Sequence, residues 1–182
     1  MDRHTEKKKR FRERCLKRLK KVAGREAYGR DRRVLAKLHG LITKEHARAV
    51  MLYVPLKMEV NLFPLIRRLR QEGVTVYVPF MEGKSFRLVK YRYPLRIKQF
   101  GIKEPKFSNQ YRKKQIDIAV IPIVGMDITR RRVGFGKGMY DRFFEKETKN
   151  IKKRVFVARE LCFSKEIVTD RYDVEADIVI VP

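Results

Sequence analysis

The chain has 182 residues, enough for one domain with a sizeable core, and 43% of them are hydrophobic, eleven Phe included. Forty-six Lys and Arg against 21 Asp and Glu leave a formal net charge of +25, which disfavours cationic partners and favours nucleotides, polyglutamates, nucleic acids or acidic surfaces. The longest apolar run, Ile118 to Met126, is too short to span a bilayer, and the basic N-terminus lacks the apolar stretch of a signal peptide, so a soluble protein with no membrane partner is expected.

In chain order, Phe11, Cys15, Leu19 and Val22 recur at helical spacing and predict an amphipathic helix over residues 5–22 with basic outer faces. A second helix is expected from about Asp31 to Leu38, capped by Asp31 and ended by Gly40. His39 and His46, with no carboxylate or cysteine cluster at ligand spacing, read as ordinary exposed histidines. The run 49–54 has the length and composition of a buried strand and stops at Pro55. Ligands bind off the C-terminal edge of open α/β sheets, which puts Glu59 in a favourable loop, although an exposed loop glutamate would look the same. Leu62, Leu65, Ile66 and Leu69 mark a third helix, Gly73 its end, and 74–78 the next strand, closed by Pro79. Strand, helix and strand within about thirty residues make a βαβ unit, hence a parallel pair.

Residues 86–93 alternate apolar and basic side chains, as a strand with one wet face does; as stacking platforms for RNA they lack any surrounding signature. No clear periodicity runs through 94–115. Further strands are expected at 116–121, 154–158 and 178–181, with a helix from about Met139 to Glu147 that turns Tyr140, Phe143 and Phe144 inward. No repeats or linkers divide the chain. The expected fold is a single domain over residues 1–182, a three-layer α/β/α sandwich around a mostly parallel, Rossmann-like open sheet, with the N-terminal helix packed across it. Cys15 and Cys162 are too few for a disulfide framework or a structural zinc site, so a reducing cytoplasm is the expected compartment.

The densest chemistry lies in Arg132-Val-Gly-Phe-Gly-Lys-Gly-Met-Tyr-Asp141. Alternating glycines let the backbone approach a ligand closely, Arg132 and Lys137 add fixed positive charge, and Asp141 on the first turn of the following helix could hold a divalent metal. The spacing is not that of a P-loop, because Lys137 is followed by Gly138 rather than a hydroxyl. Nor is it the dinucleotide fingerprint, which needs glycine where Met139 stands. It suits phosphate without saying which, and a glycine-rich turn with a solvated Lys137 remains the alternative.

The run from Asp117 to Asp127, followed by Arg132-x-Gly-x-Gly-Lys-Gly-x-Tyr-Asp-Arg142, resembles the signature of the 5-formyltetrahydrofolate cyclo-ligase family, also called methenyltetrahydrofolate synthetase. The resemblance extends along nearly the whole chain. It implies an ATP- and Mg2+-dependent conversion of 5-formyltetrahydrofolate to 5,10-methenyltetrahydrofolate, with the formyl oxygen phosphorylated on the way. It further implies catalytic roles for Lys137, Arg132 and Tyr140, and ATP binding by Lys8, Arg12, Arg132, Gly134, Phe135, Gly136, Lys137, Gly138, Met139 and Tyr140. The Lys8 and Arg12 assignment follows from Lys8-x-x-Phe11-Arg12, which is similar to an N-terminal K-x-x-L-R element of the family. Val54, Glu59, Phe135, Lys137 and Met139 would contact the folate, Glu59 at its pterin head; Asp141 and Asp177, the latter from the closing Asp173-x-x-x-Asp177, would hold magnesium.

Phe135 stands where the family usually has tyrosine or arginine, and Met139 where it usually has tyrosine, so hydrogen bonds from those side chains are lost here. The implied partners are small molecules, 5-formyltetrahydrofolate and ATP, with no specific nucleic acid, and the implied state is a monomer. A basic nucleic-acid-binding module, or ATP-dependent activation of another formyl or carboxyl group, are the competing readings.

Overall fold

The computed structural model describes residues 3–97, 101, 103–105 and 115–182. Much of the aperiodic stretch 94–115 therefore lies outside the described residues. Two long helices lead, α1 (Arg3–Val22) and α2 (Ala27–Lys44), followed by β1 (Ala49–Met51), α3 (Phe63–Gln71), β2 (Thr75–Glu82) and β3 (Ser85–Lys90). Short strands β4 (Leu95–Ile97) and β5 (Lys103–Pro105) form a ribbon of their own. The second half runs β6 (Ile116–Pro122), β7 (Gly125–Asp127), β8 (Arg132–Val133), α4 (Met139–Glu147), β9 (Ile151–Val157), β10 (Phe163–Ser164) and β11 (Ile178–Ile180).

The main sheet has the order β11-β9-β6-β1-β2-β3, parallel except for the β2–β3 hairpin at one edge. Its strands are near-continuous apolar runs because both faces are covered. On one face Val50, Val76, Ile118 and Val155 pack with Val34, Leu38 and Ile42 of α2 and Leu65, Ile66 and Leu69 of α3. On the other, Met51, Tyr77, Ala119, Ile121 and Phe156 meet Phe143 and Phe144 of α4. This is the expected three-layer sandwich.

Four expectations are corrected. The N-terminal helix does not cross the main sheet: Phe11, Cys15, Leu19 and Val22 pack with Val124, Val133, Cys162 and Val168, around the small sheet β10-β7-β8. Gly40 does not end α2, which runs on to seat Ile42 in the core, and Asp31 lies inside that helix rather than capping it. Pro79 does not close β2. The β1 pairing stops at Met51↔Tyr77, so the N–H that proline lacks has no parallel partner to serve, while pairing with β3 continues to Glu82. Cys15 and Cys162, 147 residues apart, are joined as a disulfide inside the α1 cluster, which goes against the expectation, drawn from so few cysteines, of a chain without disulfides in a reducing compartment. Among the described residues no helix is long and apolar enough to cross a membrane.

Candidate functional site

Strands β1, β2 and β6 end at one edge of the sheet, and the glycine loop 134–138 lies between β8 and the start of α4. Two pockets flank that loop. A polar cleft of about 560 Å³ is lined by the loop glycines, Lys137, Lys8 and Arg12 from α1, and Asp141, Asp170 and Asp173. An apolar cavity of about 230 Å³ lies on the other side, among Tyr53, Val54, Glu59, Phe86, Phe135, Met139 and Tyr140. Arg132 belongs to both walls.

The loop's glycines answer to specific needs. Gly138, at φ +62°, is the left-handed residue that turns the chain into α4. A Cβ on Gly134 would stand 1.9 Å from Arg132 Nη2, so the absence of a side chain there is what lets the Arg132 guanidinium lie across the loop. Arg132 is 5% exposed, and its guanidinium rests 4.8 Å from the Tyr140 ring centre with no hydrogen-bond partner for Nε or Nη1. Buried charge-bearing donors left unpaired are costly, and an anionic ligand would satisfy them.

The cleft's other cations are fixed by main chain and carboxylates. Arg12 donates from Nε to the Gly134 carbonyl at 2.9 Å. Lys8 Nζ lies 2.7 Å from Asp170 Oδ2 and 2.5 Å from Asp173 Oδ2, a cation seated between two carboxylates. Burial works against the Lys8 charge, yet the bonds to Asp170 and Asp173 raise its pKa above the ordinary lysine value. Burial and then the neighbouring Asp141 charge raise the Asp173 carboxyl, with Lys8 pulling the other way. Arg142 donates from Nη2 to the Lys137 carbonyl at 2.5 Å and from Nε to the Lys84 carbonyl at 2.6 Å, tying the loop to the β2–β3 hairpin.

Glu59 sits in the cavity wall on the segment after β1, its Oε2 accepting from the Leu56 N–H at 2.8 Å. Only partly exposed and surrounded by apolar side chains, its carboxyl is pushed by burial up to about 7, against the pull of the Leu56 N–H, Arg132 and Arg159. Burial also holds the Tyr53 and Tyr140 hydroxyls neutral, well above the usual tyrosine range.

A model of the 5-formyltetrahydrofolate cyclo-ligase family matches residues 4–182. The chain belongs to that family. It is 29% identical over 145 residues to the 5-formyltetrahydrofolate cyclo-ligase of Haemophilus influenzae, covering 74% of this chain and 75% of that one. It is likewise 29% identical over 153 residues to the enzyme of the same name from Mycoplasma pneumoniae, covering 82% and 83%. The NMR structure of Aquifex aeolicus 5,10-methenyltetrahydrofolate synthetase superposes with a TM-score of 0.78 at 28% identity, over 95% of this chain and 88% of that one. The Mycoplasma pneumoniae 5,10-methenyltetrahydrofolate synthetase shares the fold, with a TM-score of 0.74 at 24% identity over 96% and 98% of the two chains.

For this cyclo-ligase-family enzyme, most sequence-predicted residues converge on the two pockets. Lys8, Arg12, Arg132, Gly134, Gly136, Lys137, Gly138 and Asp141 line the cleft; Val54, Glu59, Phe135, Met139 and Tyr140 line the cavity. Asp177 does not join them. Its carboxylate is bound by Arg154 through Nε at 3.0 Å and Nη2 at 2.9 Å, and by the Arg154 N–H at 2.7 Å. Burial opposes its charge, but Arg154 holds the Asp177 carboxyl below the ordinary range.

The residue brought to the cleft is Asp173, the other end of the same Asp-x-x-x-Asp element, next to Asp141 and with Asp170 beside it. Reading that element could have offered Asp173; nothing in the sequence pointed to Asp170 or Tyr172. Among the described residues no group of three His, Cys, Asp or Glu side chains is arranged to hold a metal. Asp141 and Asp173 both border the cleft, with Asp173 Oδ2 taking Lys8 and the Asp170 N–H and Asp141 Oδ1 the Val174 N–H; such a carboxylate pair suits Mg2+, which keeps several waters and takes phosphate oxygens as ligands.

Proposed function

We propose that this enzyme converts 5-formyltetrahydrofolate to 5,10-methenyltetrahydrofolate at the expense of ATP, releasing ADP and phosphate, and works as a monomer; within the one chain the two candidate pockets adjoin at Arg132. The observation that carries the reading is Arg132. One buried guanidinium with unpaired donors borders a polar, cationic cleft on one side and an apolar cavity of about 230 Å³ on the other. That is the arrangement required when a phosphoryl group passes between a nucleotide and an apolar, ring-shaped acceptor.

In this reading the phosphates lie along the loop N–H groups with Lys137, Lys8 and Arg12, and the pterin head enters the cavity. There the Glu59 carboxylate accepts hydrogen bonds from its N–H groups. Magnesium, when bound, neutralises phosphate charge, and Asp141 and Asp173 are the residues that would hold it. Lys8, now paired to Asp170 and Asp173, would then be released toward phosphate.

The formyl oxygen is amide-like and cannot leave unaided. Transfer of the γ-phosphoryl to that oxygen, with ADP leaving, gives an imino-phosphate; the anilino nitrogen then attacks the formyl carbon, and the oxygen departs with phosphate. Arg132 and Lys137 stabilise charge on the transferring group, while Phe135, Met139 and Tyr140 exclude water from the cavity. No general base is needed for the first step. The test is absorbance at the methenyl band with purified protein, 5-formyltetrahydrofolate and magnesium, with and without ATP. A rise that requires ATP is expected. No rise, with folate still bound, would overturn the reaction and implicate the substitutions at Phe135 and Met139.

A further inference from the structure

Away from the glycine loop, a buried ion pair grips the segment that carries Glu59. Asp31 of α2 and Arg159, just past β9, are 7% and 6% exposed, and their side chains meet in a two-pronged contact, Nε–Oδ1 2.8 Å and Nη2–Oδ2 2.9 Å. Each also reaches the main chain between β1 and α3. Arg159 Nη1 donates to the Lys57 carbonyl at 2.8 Å, and the Asn61 N–H donates to Asp31 Oδ2 at 3.2 Å. The two anchored residues stand two positions before and two positions after Glu59. Within the grip, the Leu56 N–H donates to Glu59 Oε2 and the Glu59 N–H to the Leu56 carbonyl, so fixing Lys57 and Asn61 fixes the turn that aims the carboxylate.

We infer that the Asp31–Arg159 pair is a positioning device that sets the Glu59 carboxylate against the substrate, rather than a device for stability. Replacing a buried ion pair by apolar groups of like size is often neutral or stabilising, so stability alone is a poor reason for one. What the two side chains share here is the loop. Their own elements already pack through the main core, α2 by Val34, Leu38 and Ile42 and β9 by Val155 and Val157. The Arg30 guanidinium, held by Glu26, caps the Arg159 carbonyl and steadies the grip from behind.

The inference rests on the reading that Glu59 contacts the folate, and its test separates the two. Arg159→Lys keeps the charge but cannot pair with both Asp31 oxygens and the Lys57 carbonyl together. A small misplacement of a contact group costs heavily in substrate use, so the KM for 5-formyltetrahydrofolate is expected to rise about tenfold while the KM for ATP stays put. Amide hydrogen exchange at Leu56 and Asn61 is expected to quicken, with strand amides such as Val155 unaffected. In a Glu59→Gln background the added Arg159→Lys change is expected to leave the folate KM where Glu59→Gln alone has put it.

Equal rises in both KM values, or unaltered exchange at Leu56 and Asn61, would overturn the inference. Were Glu59→Gln alone to leave the folate KM unchanged, the Glu59 reading would fall, while the exchange rates would still decide whether the pair holds the loop. If Arg159→Lys does not fold, Asp31→Asn is read by the same exchange and KM criteria.

Discussion

Gly134→Ala is a sharp test of the site, because it adds one methyl group and changes nothing else in the chemistry of the loop. Gly134 is not among the glycines at positive φ, so alanine meets no backbone penalty there. The new Cβ would stand 1.9 Å from Arg132 Nη2 and 2.9 Å from its Cζ, so the guanidinium must leave its place. Leaving the Tyr140 ring forfeits a desolvated cation–π contact of about 2 kcal/mol. Against that, exchanging glycine for alanine restricts the unfolded chain and returns about 0.4–1 kcal/mol. The net loss near 1 kcal/mol lowers Tm by only about 2–4 °C in a domain of this size.

Turnover responds far more. Losing one preorganised donor to a developing oxyanion costs about 2.7–4 kcal/mol, or roughly a hundred- to a thousandfold in kcat. A methenyl-band assay at saturating ATP and folate, beside a thermal melt, measures both. A variant that melts within a few degrees of the parent yet turns over at the parental rate would refute the role given to Arg132.

The remaining tests address charge and covalent linkage. With the Glu59 carboxyl near 7 and acting as an acceptor, kcat/KM for folate is expected to climb with pH through about 7, and the step should vanish in Glu59→Gln. The sign for stability is opposite: a raised carboxyl binds a proton more tightly when folded, so Glu59 contributes most at acid pH and loses that contribution as pH rises from its unfolded value toward 7. Asp173→Asn is expected to raise the magnesium concentration needed for half-maximal rate, whereas Asp177→Asn should leave it alone and lower Tm through the lost Arg154 pair. A magnesium titration of both variants decides between them. Reduction of Cys15–Cys162, which spans 147 residues, is expected to cost up to about 5 kcal/mol of stability by the chain-entropy argument, seen as a lower Tm with dithiothreitol; an unchanged Tm would mean the thiols are not joined.

What the sequence made legible was local. Apolar runs 49–54 and 116–121 announced central strands, although β1 ends at Met51 rather than at Pro55, and the glycine loop announced itself by the crowding of Gly134, Gly136, Gly138 and Lys137. What it hid depended on partners distant along the chain. Asp173 and Asp177 look equivalent in a four-residue spacing. Yet Asp177 precedes β11, whose parallel register with β9 puts Ile178 against Val155 and so sets Arg154 beside the Asp177 carboxylate. Asp31 looked like a cap because its partner Arg159 lies 128 residues away. Pro79 looked like a stop because only the sheet reveals that β1 has already ended beside it.

The polar cleft draws one wall from α1 and the opposite wall from Asp170 and Asp173, more than 160 residues later by the Lys8 contacts. During synthesis on the ribosome, α1 emerges long before anything that can cover Phe11, Cys15 and Leu19. Its apolar stripe is covered in part by Val124 and Val133 and in full only once Cys162 and Val168 have left the exit tunnel. The polar cleft is thus completed late, when residues 170–173 have emerged and only edge strand β11 of the main sheet is still to follow, so a nascent chain can have the other five strands of that sheet before it has both walls of the cleft.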